Sequence, residues 1–383
     1  MDMLRVVRAA GLALSALILL VQVVWGYLNV PELRDVPPAW PSVPTVSVIV
    51  AARDEERHIE AAVTSLLAQS YPNYEVIVVD DRSSDRTAEM LASFQGRQAR
   101  LSVITIRDLP PGWLGKNHAM HVAAQRARGE LLLFTDADVI LRPLALSRAV
   151  RLLRVEGADH LTMAPELVMP STTLALVVNY GFMWGFFWAR PWKARDPGSS
   201  ASLGIGAFNL VRATAYAAVG GHSRIKLRPD DDLMLGRLLK RSGHMQLVAS
   251  ASGEMLIEWY RSLGEFARGL RKNTFAALQY SVPLTIGLVT ANLAMCVWPF
   301  AAVFTTVGAE RSLYVIAVLA QLAAYMRQGI AQRAKPWLAV LYPVAALITV
   351  AIVTAAVLRT LRRRGIEWRG TFYPLEELRA NRV

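Results

Sequence analysis

Three long runs without a charged residue limit what this 383-residue chain can fold into. Ala9 to Leu28 is 20 uncharged residues behind Arg5 and Arg8, Val282 to Val307 is 26, and Pro336 to Leu358 is 23. At ~1.5 Å of helix per residue, each is long enough to cross a hydrocarbon core of ~30 Å. The first run exceeds the usual apolar core of a signal peptide and no small-x-small site follows it, so it is expected to be an uncleaved anchor. Ser312 to Met326 is uncharged for only 15 residues. That falls short of the ~17 to 25 a crossing needs, and the segment is expected to cross at a thin point, re-enter or lie in the plane.

Composition agrees with a membrane-attached protein. Hydrophobic residues make up 54% and charged residues 19%, with a net charge of +12. Basic residues clustered beside apolar runs suit an anionic leaflet, and no basic patch interleaved with aromatics calls for a nucleic-acid partner. The single cysteine, Cys296, excludes an intrachain disulfide or a cysteine zinc site and permits a catalytic part facing a reducing cytosol.

Residues 1–30 therefore read as an N-terminal anchor and 31–44 as a linker stiffened by Pro31, Pro37, Pro38, Pro41 and Pro44. Residues 45–280 read as a soluble α/β domain, 281–358 as C-terminal membrane helices and 359–383 as a basic tail. Within the domain, β-branched runs at Val46 to Val50, Tyr74 to Val79, Leu101 to Ile106 and Glu130 to Phe134 predict strands. The segments between them, Glu55 to Gln69, Thr87 to Phe94 and Lys116 to Arg128, predict helices and hence a mostly parallel sheet. Ser171 to Ala189 is a further uncharged run; its aromatics and following basic residues suit an interfacial segment, with a buried core helix as the alternative.

Acidic residues gather at the ends of the expected strands, where ligands of open α/β sheets bind. Asp80 and Asp81 end one strand, and Ser84 or Asp85 is placed to cap the next helix. Asp136-Ala-Asp138 ends another and offers hard oxygen ligands for Mg²⁺ or Mn²⁺. Asp230, Asp231 and Asp232 open an amphipathic helix. Three adjacent carboxylates repel one another, so a cationic neighbour or a perturbed pKa is expected there. His118 and His121 read as a water-facing pair rather than a zinc site.

Together with Val-Ser-Val-Ile-Val-Ala-Ala-Arg53-Asp54-Glu55-Glu56, Gly115-Lys116-Asn117-His118-Ala119 and Asp231-Asp232-Leu-Met-Leu-Gly, these clusters resemble glycosyltransferase family 2 over about Thr45 to Leu278. Gly112-Trp113-Leu114-Gly115-Lys116 and Glu367-Trp368-Arg369-Gly370 resemble its membrane-attached subgroup of hopanoid-associated and carotenoid enzymes. The resemblance implies a GT-A fold, Rossmann-like with a mostly parallel sheet, between N-terminal and C-terminal transmembrane helices. It puts Ala52, Arg53, Glu55, Asp80 and Asp81 around the nucleoside and makes Asp138 the metal ligand, with Asp136 on metal or ribose. Asp232 falls at the catalytic base, Asp231 beside it, and Lys116 can balance diphosphate charge. Gly204-Ile-Gly206-Ala207-Phe208 resembles the family's acceptor-side glycine loop. Where many relatives carry a Gln/Arg-x-x-Arg-Trp motif, this chain has Arg268-Gly-Leu-Arg271-Lys272. The two arginines still suit a diphosphate, while the missing tryptophan favours one sugar added over polymer synthesis.

The implied activity is inverting, metal-dependent transfer from a nucleotide-diphosphate sugar, a UDP-sugar by resemblance, to a hydroxyl of a lipid or isoprenoid acceptor. The protein is expected in the inner or plasma membrane with its catalytic domain and basic tail in the cytosol. One alternative is transfer to a polyprenyl phosphate, which needs no base. An alternative of another class is an inactive sugar-nucleotide-binding module of a membrane transport complex.

Overall fold

The structure, a computed structural model, describes residues 2–38, 43–368 and 371–380. Pro41 of the linker and Arg369 and Gly370 of the tail lie outside them. The chain runs α1 (Asp2–Asn29), β1 (Val46–Ala52), α2 (Ile59–Leu67), β2 (Tyr74–Asp81), α3 (Thr87–Phe94), β3 (Leu101–Ile106), α4 (Gly115–Arg126) and β4 (Leu131–Asp136). It continues through β5 (Val139–Leu141), α5 (Ala145–Val155), β6 (His160–Ala164), β7 (Glu166–Leu167), α6 (Thr172–Ala189), β8 (Asn209–Arg212), α7 (Ala213–Ala218) and α8 (Asp231–Arg241). Strands β9 (Gln246–Ser250) and β10 (Met255–Ile257) precede α9 (Leu263–Ala277), α10 (Val282–Asn292), α11 (Trp298–Thr305), α12 (Gly308–Ala331) and α13 (Tyr342–Arg363). Strands β11 (Gly365–Trp368) and β12 (Thr371–Pro374) and helix α14 (Leu375–Ala380) close the chain.

Compactness divides the chain differently from a linear cut at 45 and 280. One unit holds Val30–Val168 and Pro191–Trp259; the other joins α1 to Met169–Arg190 and Tyr260–Arg379. The reason is apolar packing: α6 buries Leu174 to Tyr180 and Met183, and its core includes residues of α1, α12 and α13. The first half of Ser171 to Ala189 is thus buried as the core-helix alternative expects, while in its aromatic second half Trp188 is 65% exposed.

In the α/β unit the main sheet has the order β3-β2-β1-β4-β8-β6-β9. Strands β1, β2 and β4 are almost continuously buried, as expected where helices cover both faces of parallel strands. β1 pairs in parallel with β2 and β4, and β2 with β3. Strand β8 runs antiparallel to both β4 and β6. This reversal brings the loop before β8 to the carboxyl end of β4, where Phe134 pairs with Asn209. A separate three-stranded sheet has the order β5-β10-β7. The proline-rich linker is tied down as well: Leu33 is buried, and Ser250 donates its N–H to the Pro31 carbonyl and its hydroxyl to Glu32.

Of the described helical segments in the other unit, four are long and apolar enough to cross a membrane: Met3–Asn29, Val282–Thr305, Gly308–Ala331 and Pro336–Arg363. The third contains Ser312 to Met326 and is longer than the uncharged stretch suggests, which fits the crossing among the expected alternatives. The helix extends beyond the uncharged stretch to 24 residues, with Glu310 and Arg311 in its first turn and Arg327 near its end. Polar side chains tie these helices together: Gln321 donates to the Met295 carbonyl at 2.7 Å, Asn292 to the Tyr180 hydroxyl at 2.6 Å, and the Tyr27 hydroxyl to Gln328 at 2.8 Å. A π-helical turn at Leu293–Val297, just before Pro299, separates α10 from α11. Pro299 has no N–H to offer the Met295 carbonyl four residues before it, and Gln321 supplies that carbonyl's hydrogen bond instead.

Candidate active site

Strand register builds the first part of the site. Ala52 of β1 stands opposite Asp80 of β2, and Ala51 stands opposite Asp136 of β4. Neighbouring strands are ~4.8 Å apart, so two of the acidic groups flank β1 at one level of the sheet. The loop after β1 is laced to the loop after β2. Asp54 accepts from the Ser84 N–H at 2.7 Å and hydroxyl at 3.1 Å, while its own N–H donates to Ser83 at 3.1 Å. The Glu55 N–H donates to Thr87 at 2.8 Å and the Glu56 N–H to Asp85 at 3.0 Å. Asp85, not Ser84, accepts from the Thr87 N–H at the start of α3. Arg53 is within 3.8 Å of Asp54, and its buried Nε lacks a hydrogen-bond partner.

Asp80 and Asp81 are each only 3% exposed, so neither carboxylate is open on the surface. Asp80 accepts from the Ser83 N–H, and Asp81 takes a bidentate pair of bonds from Arg82 at 2.7 and 3.0 Å. A Cβ on Gly115 would stand 2.2 Å from the Asp81 carboxylate. Helix α4 can begin against that carboxylate only because residue 115 has no side chain, and this places the next residue, Lys116, beside the other two clusters.

Lys116 Nζ lies 2.8 Å from Asp136 and 3.4 Å from Asp231. Burial opposes its charge, but Asp136, Asp231 and Asp232 outweigh burial and raise its pKa well above the ordinary value. Each residue of the acidic triplet then has a different partner. Asp230 forms a buried bidentate pair with Arg228 at 2.8 and 2.6 Å. Asp231 has Lys116. Asp232 accepts from the Gly206 N–H at 2.7 Å and from the Leu233 N–H at 2.8 Å. Burial, and then Asp231, push the Asp232 carboxyl up to about 7. It remains partly accessible, a state suited to accepting a proton near neutrality.

The glycine loop closes the group. A Cβ on Gly206 would stand 2.7 Å from Asp136, and one on Gly204 would overlap the Asp232 carbonyl at 1.8 Å. Behind the loop, His160 and Gln246 form a buried network with Asn209, which bonds back to Ile205. Burial lowers His160 to about 4, so its ring is neutral. Asp138 Oδ1 is buried with no hydrogen-bond partner. Burial, then Asp136 and Glu55, raise Asp138 to about 7.

A buried carboxylate oxygen without a hydrogen-bond partner, on Asp138 near Asp136, fits a hard divalent cation. Among the described residues no three His, Cys, Asp or Glu side chains cluster as a complete ligand set. Mg²⁺ and Mn²⁺ often complete their spheres with water and substrate phosphates, so two carboxylates suffice.

The role of Asn117 lies with partners remote in sequence. Asn117 is fully buried and donates to the carbonyls of Ile225, Lys226 and Arg228, which joins the start of α4 to the segment that delivers α8. His118 and His121 are half-buried and pack on Trp113 at 5.4 and 5.0 Å, not in open water, and Lys226 sits 4.9 Å over the same indole. Arg268 and Arg271 lie on α9, in the other compact unit.

Residues 47–196 match the family model described as Glycosyl transferase family 2. This stretch belongs to glycosyltransferase family 2. The chain is 27% identical over 201 residues to a 4,4'-diaponeurosporenoate glycosyltransferase of Staphylococcus haemolyticus, covering 51% of this chain and 52% of that one. It is 28% identical over 194 residues to a beta-monoglucosyldiacylglycerol synthase of Trichormus variabilis, covering 50% and 41%. The chain thus spans about half the length of the curated relatives it matches. In fold, it is similar to the mannosyltransferase PcManGT from Pyrobaculum calidifontis, solved in complex with GDP-Man and Mn²⁺. That likeness has a TM-score of 0.55 at 19% identity and covers 94% of this chain and 99% of the other.

The Arg228–Asp230 pair yields a stability prediction. Each side chain is 3% exposed, so Arg228→Met strands a buried carboxylate and should cost about 3 to 5 kcal/mol. Arg228→Met with Asp230→Leu should recover most of that loss. Urea-unfolding midpoints of the single and double variants in detergent check it.

Proposed function

We propose that this family 2 glycosyltransferase moves one sugar from a nucleotide-diphosphate donor to a hydroxyl of a lipid or isoprenoid acceptor at a membrane face. The observation that carries the reading is Asp232, a carboxyl held near neutrality by burial and Asp231, oriented by the Gly206 N–H, with Lys116 among the neighbouring acids. Asp232 takes the acceptor proton as the acceptor oxygen bonds to the anomeric carbon. The bond from that carbon to the diphosphate oxygen breaks, its electron pair leaves with the diphosphate, and the configuration inverts. Lys116 offsets charge on the leaving diphosphate. Ala52, Arg53, Glu55, Asp80 and Asp81 wall the nucleoside end, with Asp81 acting through its pair with Arg82.

A Mg²⁺ or Mn²⁺ held by Asp138 and Asp136 would neutralise diphosphate charge. The orphaned Asp138 oxygen supports that site, and the Mn²⁺ bound by the similarly folded mannosyltransferase is consistent with it. Two relatives named for a carotenoid acid and a glucosyl lipid support an acceptor of that class, and four apolar helices suit a membrane enzyme; the cytosolic side for its site is retained from the charge pattern of the sequence. A donor carrying UDP is retained from the family resemblance. A polyprenyl phosphate acceptor would leave the raised pKa of Asp232 without a use.

The test is incubation of membranes containing the protein with a panel of radiolabelled nucleotide sugars, followed by extraction into organic solvent. Label should enter the organic phase with wild type and not with Asp138→Ala. Label that reaches only water-soluble products would overturn the lipid acceptor, and hydrolysis or transfer unaffected by Asp138→Ala would overturn the metal assignment.

A further inference from the structure

Helix α13 ends in a cluster of arginines that the transfer reaction does not use. Arg359, Arg362 and Arg363 line a cavity of about 430 Å³ together with Ala355, Leu358 and Arg271 of α9. The five α13 positions follow the i, i+3, i+4, i+7, i+8 spacing of one helical face. Their order along that face matters: Ala355 and Leu358 come first, toward the apolar stretch, and the guanidinium groups follow at its end. Pro336–Arg363 is one of the four segments able to cross a membrane, so the cationic end falls at headgroup depth and the apolar end at the start of the hydrocarbon.

Two ordinary explanations account for only part of the cluster. Cations are favoured in the last turn of a helix, which covers Arg362 and Arg363. Ion pairing covers Arg363, which is 3.0 Å from Glu367. Neither explains why Arg271 converges on Arg359 from another helix. Among the described residues, no acid pairs with Arg271, Arg359 or Arg362. The guanidinium of Arg271 is held below its ordinary value by loss of solvent and then by repulsion from Arg359, Arg268 and Arg363. With Arg363 paired, Arg271, Arg359 and Arg362 still face the cavity without an acid partner; such cations are complementary to an anion, and guanidinium forks match phosphate oxygens.

We propose that the cavity lined by Arg271, Arg359, Arg362, Arg363, Ala355 and Leu358 binds the phosphate headgroup of an acidic phospholipid, with Ala355 and Leu358 against the top of its acyl chain. This assigns Arg271 to lipid in place of the donor diphosphate suggested by sequence resemblance.

The test uses the full chain in nanodiscs of phosphatidylcholine with 0 or about 30% phosphatidylglycerol, and reads retention of a spin-labelled phosphatidylglycerol against labelled phosphatidylcholine. Wild type should prefer the acidic lipid. Arg359→Gln with Arg362→Gln should weaken that preference roughly 30-fold, at about fivefold per arginine lost near the surface. Arg107→Gln with Arg126→Gln, which removes the same charge from exposed positions of the α/β unit, should leave it unchanged. Equal retention by wild type and the Arg359/Arg362 variant would overturn the proposal. So would displacement of the labelled lipid by inorganic phosphate or a nucleoside diphosphate at millimolar concentration, which would make this a site for a soluble phosphate. Lipid retention is read without sugar transfer, so its failure is distinct from failure of the proposed activity.

Discussion

Asp232→Asn should lower sugar transfer by about 10³-fold while nucleotide-sugar affinity stays within about threefold of wild type. Asparagine keeps one oxygen for the Gly206 N–H, so the loop can stay where the 2.7 Å bond holds it, but it gives up the bond from the Leu233 N–H and cannot accept a proton at neutral pH. Wild type should also show an acid limb in kcat/KM with a midpoint near 7, the value to which burial and Asp231 raise this carboxyl. The same shift has a stability consequence with a definite sign. A raised folded-state pKa means that the fold binds the proton more tightly than the unfolded chain. Stability contributed by protonated Asp232 is therefore complete below the ordinary carboxylate range and is lost as pH rises through about 7. Activity and stability thus move in opposite directions across neutrality, as expected where a functional group is kept in an unfavourable environment. Transfer by Asp232→Asn within tenfold of wild type would remove the base from the mechanism and restore the phosphate-acceptor alternative.

The parts of this molecule that were legible in the sequence depend on local periodicity. Strands β1 to β4 and helices α2 to α4 fall within a few residues of the expected segments, because buried parallel strands read as β-branched runs and their helices as 3.6-residue patterns. Strand-end placement of Asp80 and Asp136 follows from the same signal. The antiparallel β8 is only four residues long and its partners β4 and β6 are remote in sequence, so no local pattern announces that it carries Gly206 to Asp232. Arg82 and Asn117 were invisible for a related reason. Arg82 follows Asp81 but has φ +58, and that backbone turns its guanidinium back on the preceding carboxylate. Asn117 acts on three carbonyls more than a hundred residues away. The requirement for a cation near the acidic triplet was readable from charge repulsion alone. That two different cations supply it, Arg228 for Asp230 and Lys116 for Asp231, is a property of the tertiary structure.

Lys116→Met should reduce transfer by about 10²- to 10³-fold and should move the acid limb of kcat/KM to higher pH. Lys116 is the positive charge between Asp136 and Asp231, and it opposes the upward shift of Asp232. Without it, the repulsion from Asp231 and Asp136 is uncompensated, the neutral form of Asp232 is favoured further, and a smaller fraction of the enzyme carries an ionised base at neutral pH. A purely diphosphate-binding lysine would act differently, raising KM for the donor without moving the pH profile. The two roles separate in kcat and kcat/KM profiles measured between roughly pH 6 and 9 on wild type and Lys116→Met. An unshifted acid limb with a raised KM would confine Lys116 to the donor, whereas a shifted limb with transfer partly recovered at alkaline pH would make it the residue that sets the protonation state of the base. Methionine approximates the apolar stem of lysine, so loss of charge, not loss of packing, is what the comparison reads.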